Sequence, residues 1–430
     1  PSDNLDERLK LQKPDALATM VYTSGTTAQP KAVMLSHQNL TWTATTICVD
    51  SLNITDEDII LSYLPLSHIA EQMISVHAPL SSGACVWFAE SIDKLASNLK
   101  EARPTLFFGV PRVWEKIQQS MMTQSSKQNF IKKLLFNCAR KVGLSYHKNT
   151  ERSIWISTGY SIFQKIIFNK VRKALGLDRC SLQITSAAPI SMDTLNFFFS
   201  LDIPLYEIYG MSECSGPATI SFPEQYRIGK TGCTLAKTQI KIADDNEILM
   251  KGPHVFLGYL NNDQATLETI DQDGWLHSGD LGEIDEEGFL AITGRKKNLL
   301  ITAGGENVAP EMLENKLKAI PGIEQTVVIG DQRKYLSALF TLSEEALEVG
   351  KRTGSSATNI EELSNCNIFH QFLNQQIEHI NQSVARVQSI KKFSILSGSF
   401  SEATGELTPT MKIKRNYIYK KYSSEIASLY

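Results

Sequence analysis

Short apolar runs alternate with stretches of helical spacing along most of this chain. Ile59-Ile60-Leu61 leads into the turn Pro65-Leu66-Ser67, and Ala84-Cys85-Val86-Trp87-Phe88 has the make-up of a buried strand. Ile92 to Lys100 has helical spacing, Thr105 to Val110 is again strand-like, and Leu182 to Thr185 and Leu205 to Tyr209 continue the series. Such alternation predicts an α/β fold with largely parallel sheets. From about Gln239 the pattern changes to short strands with Gly and Asp turns. Lys241-Ile242-Ala243, Asp244-Asp245-Asn246 and Glu247-Ile248-Leu249-Met250 read together as a hairpin. They place a small β-rich subdomain at about 225–294.

A second boundary lies at Gly294-Arg295-Lys296-Lys297-Asn298. Beyond it come a strand (Leu299 to Thr302), a turn (Gly304, Gly305), a helix (Pro310 to Leu317) and a strand (Val327 to Ile329). Pro310 stands where a first-turn proline belongs. The expected organisation is a large domain over 1–294, a connector over 295–298 and a compact α+β domain over 299–430.

Thr123 to Gly176 breaks the alternation. Ile154, Trp155, Ile162, Phe163, Ile166, Ile167, Phe168 and Val171 fall on roughly one helical face, with Lys165, Lys170, Arg172 and Lys173 opposite or flanking. The plain reading is a helix packed on the main domain. The sharper one is a helical patch that touches a membrane surface.

Composition narrows the class. The 430 residues are 42% apolar and 21% charged, as in a soluble globular protein of two or more domains. Lys and Arg number 43 against 46 Asp and Glu, a net charge of −3 that gives no support for nucleic-acid binding. The seven cysteines are scattered, without C-x-x-C or metal-ligand spacing. They suggest reduced cytosolic thiols, mostly buried. No uninterrupted apolar run reaches the length of a spanning helix, and no signal peptide is visible. The chain begins at Pro1 and meets its most distinctive loop almost at once, so a preceding segment is expected.

That loop runs Thr23-Ser24-Gly25-Thr26-Thr27-Ala28-Gln29-Pro30-Lys31. It offers hydroxyls, backbone N–H groups and one cation to a polyphosphate. It is not a Walker A loop, and a Ser/Thr-rich turn alone is more often only a turn.

Four later islands change its meaning: Tyr206-Glu207-Ile208-Tyr209-Gly210-Met211-Ser212-Glu213, Trp275-Leu276-His277-Ser278-Gly279-Asp280, Ile292-Thr293-Gly294-Arg295-Lys296-Lys297-Asn298, and Pro409-Thr410-Met411-Lys412-Ile413-Lys414-Arg415. The ordered set resembles the adenylate-forming superfamily of acyl-CoA synthetases, luciferases and peptide-synthetase adenylation domains. With Thr185-Ser186-Ala187-Ala188-Pro189, it is similar to long-chain fatty-acyl-CoA synthetases of the bubblegum type. The resemblance implies a large domain of parallel-rich sheets, incomplete at its N-terminus, and a small mobile C-terminal domain. It implies activation of a fatty acid by ATP through acyl-AMP, then transfer to coenzyme A, with Mg²⁺ as cofactor.

The same resemblance assigns roles. Thr23, Ser24, Gly25, Thr26, Thr27 and Lys31 would hold the β- and γ-phosphates. Ala187, Ala188, Pro189, Glu207, Tyr209, Gly210 and Met211 would form the nucleotide pocket, with Tyr209 stacked on adenine. Ser212 would contact the α-phosphate and Glu213 would bind Mg²⁺. Asp280 would accept the ribose hydroxyls and Arg295 would reach the nucleotide. Lys297 would be the hinge. Lys412 would stabilise charge at the α-phosphate until rotation of the C-terminal domain withdraws it. Gly304 and Gly305 would flank the pantetheine tunnel. His68 would lie at the acyl end of the pocket and Trp114 would gate it. The bland alternatives are a satisfied loop histidine and a core tryptophan.

Three departures stand out. Ala28 and Ala32 replace glycines usual in the family's loop, and an alanine forced to φ > 0 costs roughly 1 kcal/mol or more. Asn246 replaces a turn glycine but tolerates left-handed geometry. The family's N-terminal portion is missing. The alternatives are an acyl-AMP ligase serving a carrier protein and a nucleotide- or lipid-binding protein whose catalysis has decayed. Chain length, membrane attachment and oligomeric state are not legible.

Overall fold

The computed structural model describes residues 5–23, 30–126, 129–148, 153–408 and 412–430. The chain divides into two compact units. One comprises 1–187, 194–278 and 282–292; the other comprises 188–193, 279–281 and 293–430.

The first unit is built around a seven-stranded sheet. Its strands are β3 (Ile59–Ser62), β4 (Cys85–Phe88), β5 (Leu106–Gly109), β6 (Leu182–Thr185), β7 (Leu205–Met211), β8 (Gly216–Ile220) and β9 (Cys233–Thr234), in the order β4-β3-β5-β6-β7-β8-β9. The pairs from β4 to β7 are parallel, as the alternating pattern predicts, while β8 and β9 join antiparallel. Helices supply the crossovers that parallel neighbours require. β5 and β6 are buried at every position, which explains the unbroken apolar run Leu106-Phe107-Phe108 of β5, while β6 also buries the polar Gln183 and Thr185.

Two expectations need correction here. Ala84 to Phe88 is an edge strand, not a buried one, and Phe88 is 71% exposed. Only three of the seven cysteines (Cys48, Cys180 and Cys214) are buried; all seven are free thiols.

A smaller antiparallel sheet joins β1 (Leu17–Thr23), β2 (Lys31–Ser36) and the short strand Gly258–Tyr259. A four-stranded sheet follows, in the order Gln239–Ile242, Glu247–Lys251, Leu276–Ile284, Leu290–Arg295. Its first pair is the expected hairpin, with Ile242 opposite Ile248, and its turn places Asn246 at φ +66°. Thr123 to Gly176 forms part of one helix and then three more: Phe130–Lys148, Ile154–Phe163 and Asn169–Leu175.

The second unit has its own core. Strands Ile323–Ile329, Leu336–Leu342 and Ile390–Ile395 form a sheet whose central strand is buried throughout. Helices Pro310–Lys318 and Asn367–Asn381 pack on it through Leu313, Leu317, Phe369 and Leu373. Pro310 begins its helix as expected.

Candidate active site

The phosphate-type loop is the connection of a hairpin. β1 and β2 pair antiparallel with Thr23 directly opposite Lys31, so the ladder brings both loop ends together. Ser24, Gly25, Thr26, Thr27 and Ala28 lie outside the described residues. Ala32 sits inside β2 opposite Tyr22, with its Cβ buried, and it is not among the residues of positive φ. At this position the alanine is an ordinary strand residue and carries no backbone strain.

Lys31 Nζ lies 4.7 Å from the centre of the Tyr259 ring. The Tyr259 hydroxyl donates to Glu213 Oε1 at 2.8 Å. Glu213 is buried on the 3₁₀ turn Ser212–Cys214 that ends β7, and its carbonyl accepts the Phe256 N–H at 2.9 Å. A cation, a phenol and a carboxylate from three distant segments therefore form one chain of contacts. Burial, reinforced by the Glu213 carboxylate, raises the Tyr259 pKa and keeps the phenol a donor. Tyr259 was not legible beforehand: a two-residue strand has no periodicity to reveal it.

β7 supplies the neighbouring residues. An added Cβ at Gly210 would lie 1.8 Å from the Gly216 carbonyl oxygen, so only glycine fits this irregular step in the β7–β8 ladder. Tyr209 is buried. Glu207 Oε2 accepts the Gly229 N–H at 2.8 Å, yet burial pushes its carboxyl up to about 8. Ser186 Oγ donates to the Ile208 carbonyl at 2.7 Å and pins the loop after β6 against β7. Within that loop Ala187 holds φ +74°, a conformation that costs a non-glycine residue about 1 kcal/mol. Ala188 and Pro189 follow, both exposed.

In the second unit Asp280 is buried and Oδ1 receives Arg295 Nε at 2.8 Å. Lys297 is exposed on the turn Lys296–Asn298. That turn is tied down by Asn298 Nδ2, which donates to Glu311 Oε1 at 2.6 Å. Gly304 and Gly305 form the tip between the paired strands Leu300–Ile301 and Asn307–Val308, with Gly305 at φ +81°. Lys412 is exposed, and its N–H donates to Thr408 Oγ1 at 3.0 Å across a bridge of Leu407 with Ile413. Three residues on, Arg415 grips Glu314 with two bonds of 2.8 and 2.7 Å.

The two acyl-side residues divide. His68 caps the helix Ile69–Gln72, its Nδ1 accepting the Ala70 N–H at 3.2 Å. Buried Glu71 accepts bonds from Ser62, Ser75 and the Leu64 N–H, which fixes the loop that leads to His68. Trp114 lies in the core of this structure. It is fully buried, edge-on to Phe107 and Phe198, with its indole N–H donating to the Ile184 carbonyl at 3.3 Å. A Cβ at Gly109 would come within 2.5 Å of that indole, so the ring packs directly on the glycine backbone. Trp114 is a core residue.

Among the described residues no group of three or more His, Cys, Asp or Glu could cage a metal ion. A hard cation bound near Glu213 would take its remaining oxygens from phosphate and water, which suits one carboxylate. Nor is any described helix long and apolar enough to cross a membrane.

Residues 2–260 match the AMP-binding enzyme family, and residues 297–430 match the AMP-binding enzyme C-terminal domain. The chain belongs to this family. Its whole length aligns with the long-chain-fatty-acid–CoA ligase ACSBG2 of Xenopus laevis at 44% identity, covering 62% of that protein. It aligns with human ACSBG2 at 40% and human ACSBG1 at 38%, covering 69% and 64% of them. ATP-bound MatB from Rhodopseudomonas palustris shares the fold, with a TM-score of 0.68 and 23% identity over 96% of this chain and 70% of that one. The Bacillus subtilis o-succinylbenzoate CoA synthetase bound to its acyl-adenylate has a TM-score of 0.67 at 22% identity, over 95% and 70%.

Proposed function

We propose that this chain activates long-chain fatty acids with ATP and transfers them to coenzyme A. The observation that carries the reading is alignment along its whole length with long-chain-fatty-acid–CoA ligases. The Lys31–Tyr259–Glu213 chain of contacts supports it from the structure. In the first step a carboxylate oxygen attacks the α-phosphorus of ATP and the bond to pyrophosphate breaks. In the second the coenzyme A sulfur attacks the acyl carbonyl, AMP leaves, and the thiol proton passes to solvent. Neither step needs a protein nucleophile, so catalysis rests on positioning and charge stabilisation.

Thr23 to Thr27 and Lys31 hold the β- and γ-phosphates. Glu213 binds Mg²⁺, which when present neutralises phosphate charge, and Tyr259 fixes the Glu213 carboxylate. Ala187 to Pro189, Glu207 and Tyr209 to Ser212 surround the nucleotide. Asp280 receives the ribose hydroxyls in place of Arg295, and Arg295 turns to the nucleotide. Lys297 is the hinge, Gly304 and Gly305 border the pantetheine path, and His68 faces the acyl end. Lys412 stabilises the first transition state. Seven free thiols support a reducing, cytosolic setting.

The deciding measurement is pyrophosphate release across fatty acids of different length, with and without coenzyme A. Release that depends on a long-chain acid is expected; none with any acid would favour a decayed binding protein. Release without thioester formation would favour transfer to a carrier protein. Lys412→Ala should abolish acyl-AMP formation yet spare thioester formation from preformed acyl-AMP. Tyr259→Phe should cost about tenfold or more in kcat/KM for ATP, because it removes a buried hydrogen bond to a carboxylate. An unchanged value would remove Tyr259 from the site.

A further inference from the structure

The helices Phe130–Lys148 and Ile154–Phe163 form a hairpin in which Tyr146 stacks on Tyr160 at 3.7 Å. Polar contacts to the main body hold it: Arg140 Nε donates to Ser200 Oγ at 2.9 Å, His147 Nδ1 lies 3.1 Å from the Tyr226 hydroxyl, and Asp202 gathers three more. His147 Nε2 lies 3.2 Å from Asp202 Oδ1, the Tyr160 hydroxyl donates to that oxygen at 2.6 Å, and Arg172 Nη1 lies 3.7 Å from Oδ2. Four large apolar side chains of the hairpin are instead left open to solvent. Phe130 is 79% exposed, Ile131 78%, Ile154 82% and Trp155 88%.

Charge on this segment is equally one-sided. Residues 130–175 carry ten Lys and Arg and one acid, Glu151, while the rest of the chain carries 33 Lys and Arg against 45 Asp and Glu. Lys132, Lys141, Lys165, Lys170 and Lys173 are exposed. Large apolar and aromatic side chains left open among lysines, on an otherwise acidic protein, match a surface with an apolar interior and anionic headgroups.

We infer that this hairpin docks peripherally on an anionic lipid surface. Phe130, Ile131, Ile154 and Trp155 enter the headgroup region, and the lysines contact lipid phosphates. The inference stands on this surface alone and does not need the activity proposed above.

The test is co-sedimentation of the full chain with vesicles of phosphatidylcholine alone and of phosphatidylcholine with phosphatidylserine. Binding is expected only to the anionic vesicles and should weaken with salt. Phe130→Ser with Trp155→Ser should lower the partition at least tenfold without moving the melting temperature, since both residues are exposed. Lys132→Ala and Lys165→Ala should each lower it about fivefold. Wild-type protein that ignores anionic vesicles would overturn the inference, as would variants that bind undiminished. Loss of a concentration-dependent dimer in the serine variant, with no vesicle binding by the parent, would assign the face to a second copy instead.

Discussion

At the scale of single residues, the site depends on atoms that approach more closely than side-chain type reveals. Gly210 belongs to a legible island, but the reason it must be glycine is the Gly216 carbonyl across the β7–β8 step. Gly210→Ala should therefore destabilise by about 3 kcal/mol or more, read as a shift in denaturant midpoint; a neutral result would mean the ladder step can open. Glu207 shows the opposite case, a half-buried carboxyl whose charged form is disfavoured by desolvation. Its folded pKa, about 8, lies above the ordinary carboxyl value of 4.5. The folded state thus binds more protons between these values, and wild-type stability falls as pH rises through that window. Glu207→Gln keeps the acceptor for Gly229 and should flatten the profile, becoming the more stable protein near pH 8. Parallel profiles would show that Glu207 ionises freely. Ala32 was suspect because it replaces a glycine usual in the family's loop, and residue type alone does not show that the position lies inside a strand.

Secondary-structure elements were legible wherever burial was two-sided. β5 has every residue buried, so its apolar run is unbroken and its position in the series is plain; β6 is buried throughout too, though Gln183 and Thr185 interrupt its apolar pattern. β4 has a similar composition but lies at a sheet edge, which no local pattern distinguishes. Trp114 was ambiguous for a related reason: a tryptophan at a helix start suits a gate or a core, and its packing on Phe107, Phe198 and the Ile184 carbonyl shows in no local pattern.

The helical hairpin is held to the main body by several contacts, of which Asp202 gathers those from His147 and Tyr160. Burial would raise the Asp202 pKa, but hydrogen bonds from His147 and Tyr160 outweigh it and hold the carboxyl below its usual value. A depressed carboxylate contributes stability above its unfolded pKa and loses it as pH falls through the folded value. Asp202→Asn should cost about 2–3 kcal/mol at neutral pH and raise hydrogen exchange across 130–175, with the penalty shrinking below about pH 4. Unchanged exchange there would show that the other contacts hold the hairpin.

For the whole molecule, each compact unit has its own apolar core. In the C-terminal unit one core gathers Leu313, Val328, Phe340 and Phe369, and a second gathers Val327, Leu339, Ile418 and Ile426. Arg415 and Glu314 are paired and mostly buried within it. A fragment of residues 293–430 should accordingly melt cooperatively by circular dichroism, whereas Arg415→Ala should lower its stability by about 3 kcal/mol because Glu314 is left buried and unpaired. A fragment without a cooperative transition would show that its fold depends on the other unit. The order of α/β elements, the hairpin around Asn246 and the family's motifs followed from local composition and spacing, because periodicity and turn chemistry act over a few residues. Contacts between segments separated in the chain, from 15 residues for Asp280 and Arg295 to 228 for Lys31 and Tyr259, were decided only by tertiary structure. They set Tyr259 between Lys31 and Glu213, pair Asp280 with Arg295, hold Trp114 in the core and leave Trp155 in the open. Such contacts depend on which buried surfaces meet once the chain has collapsed, and that is not encoded in any short window.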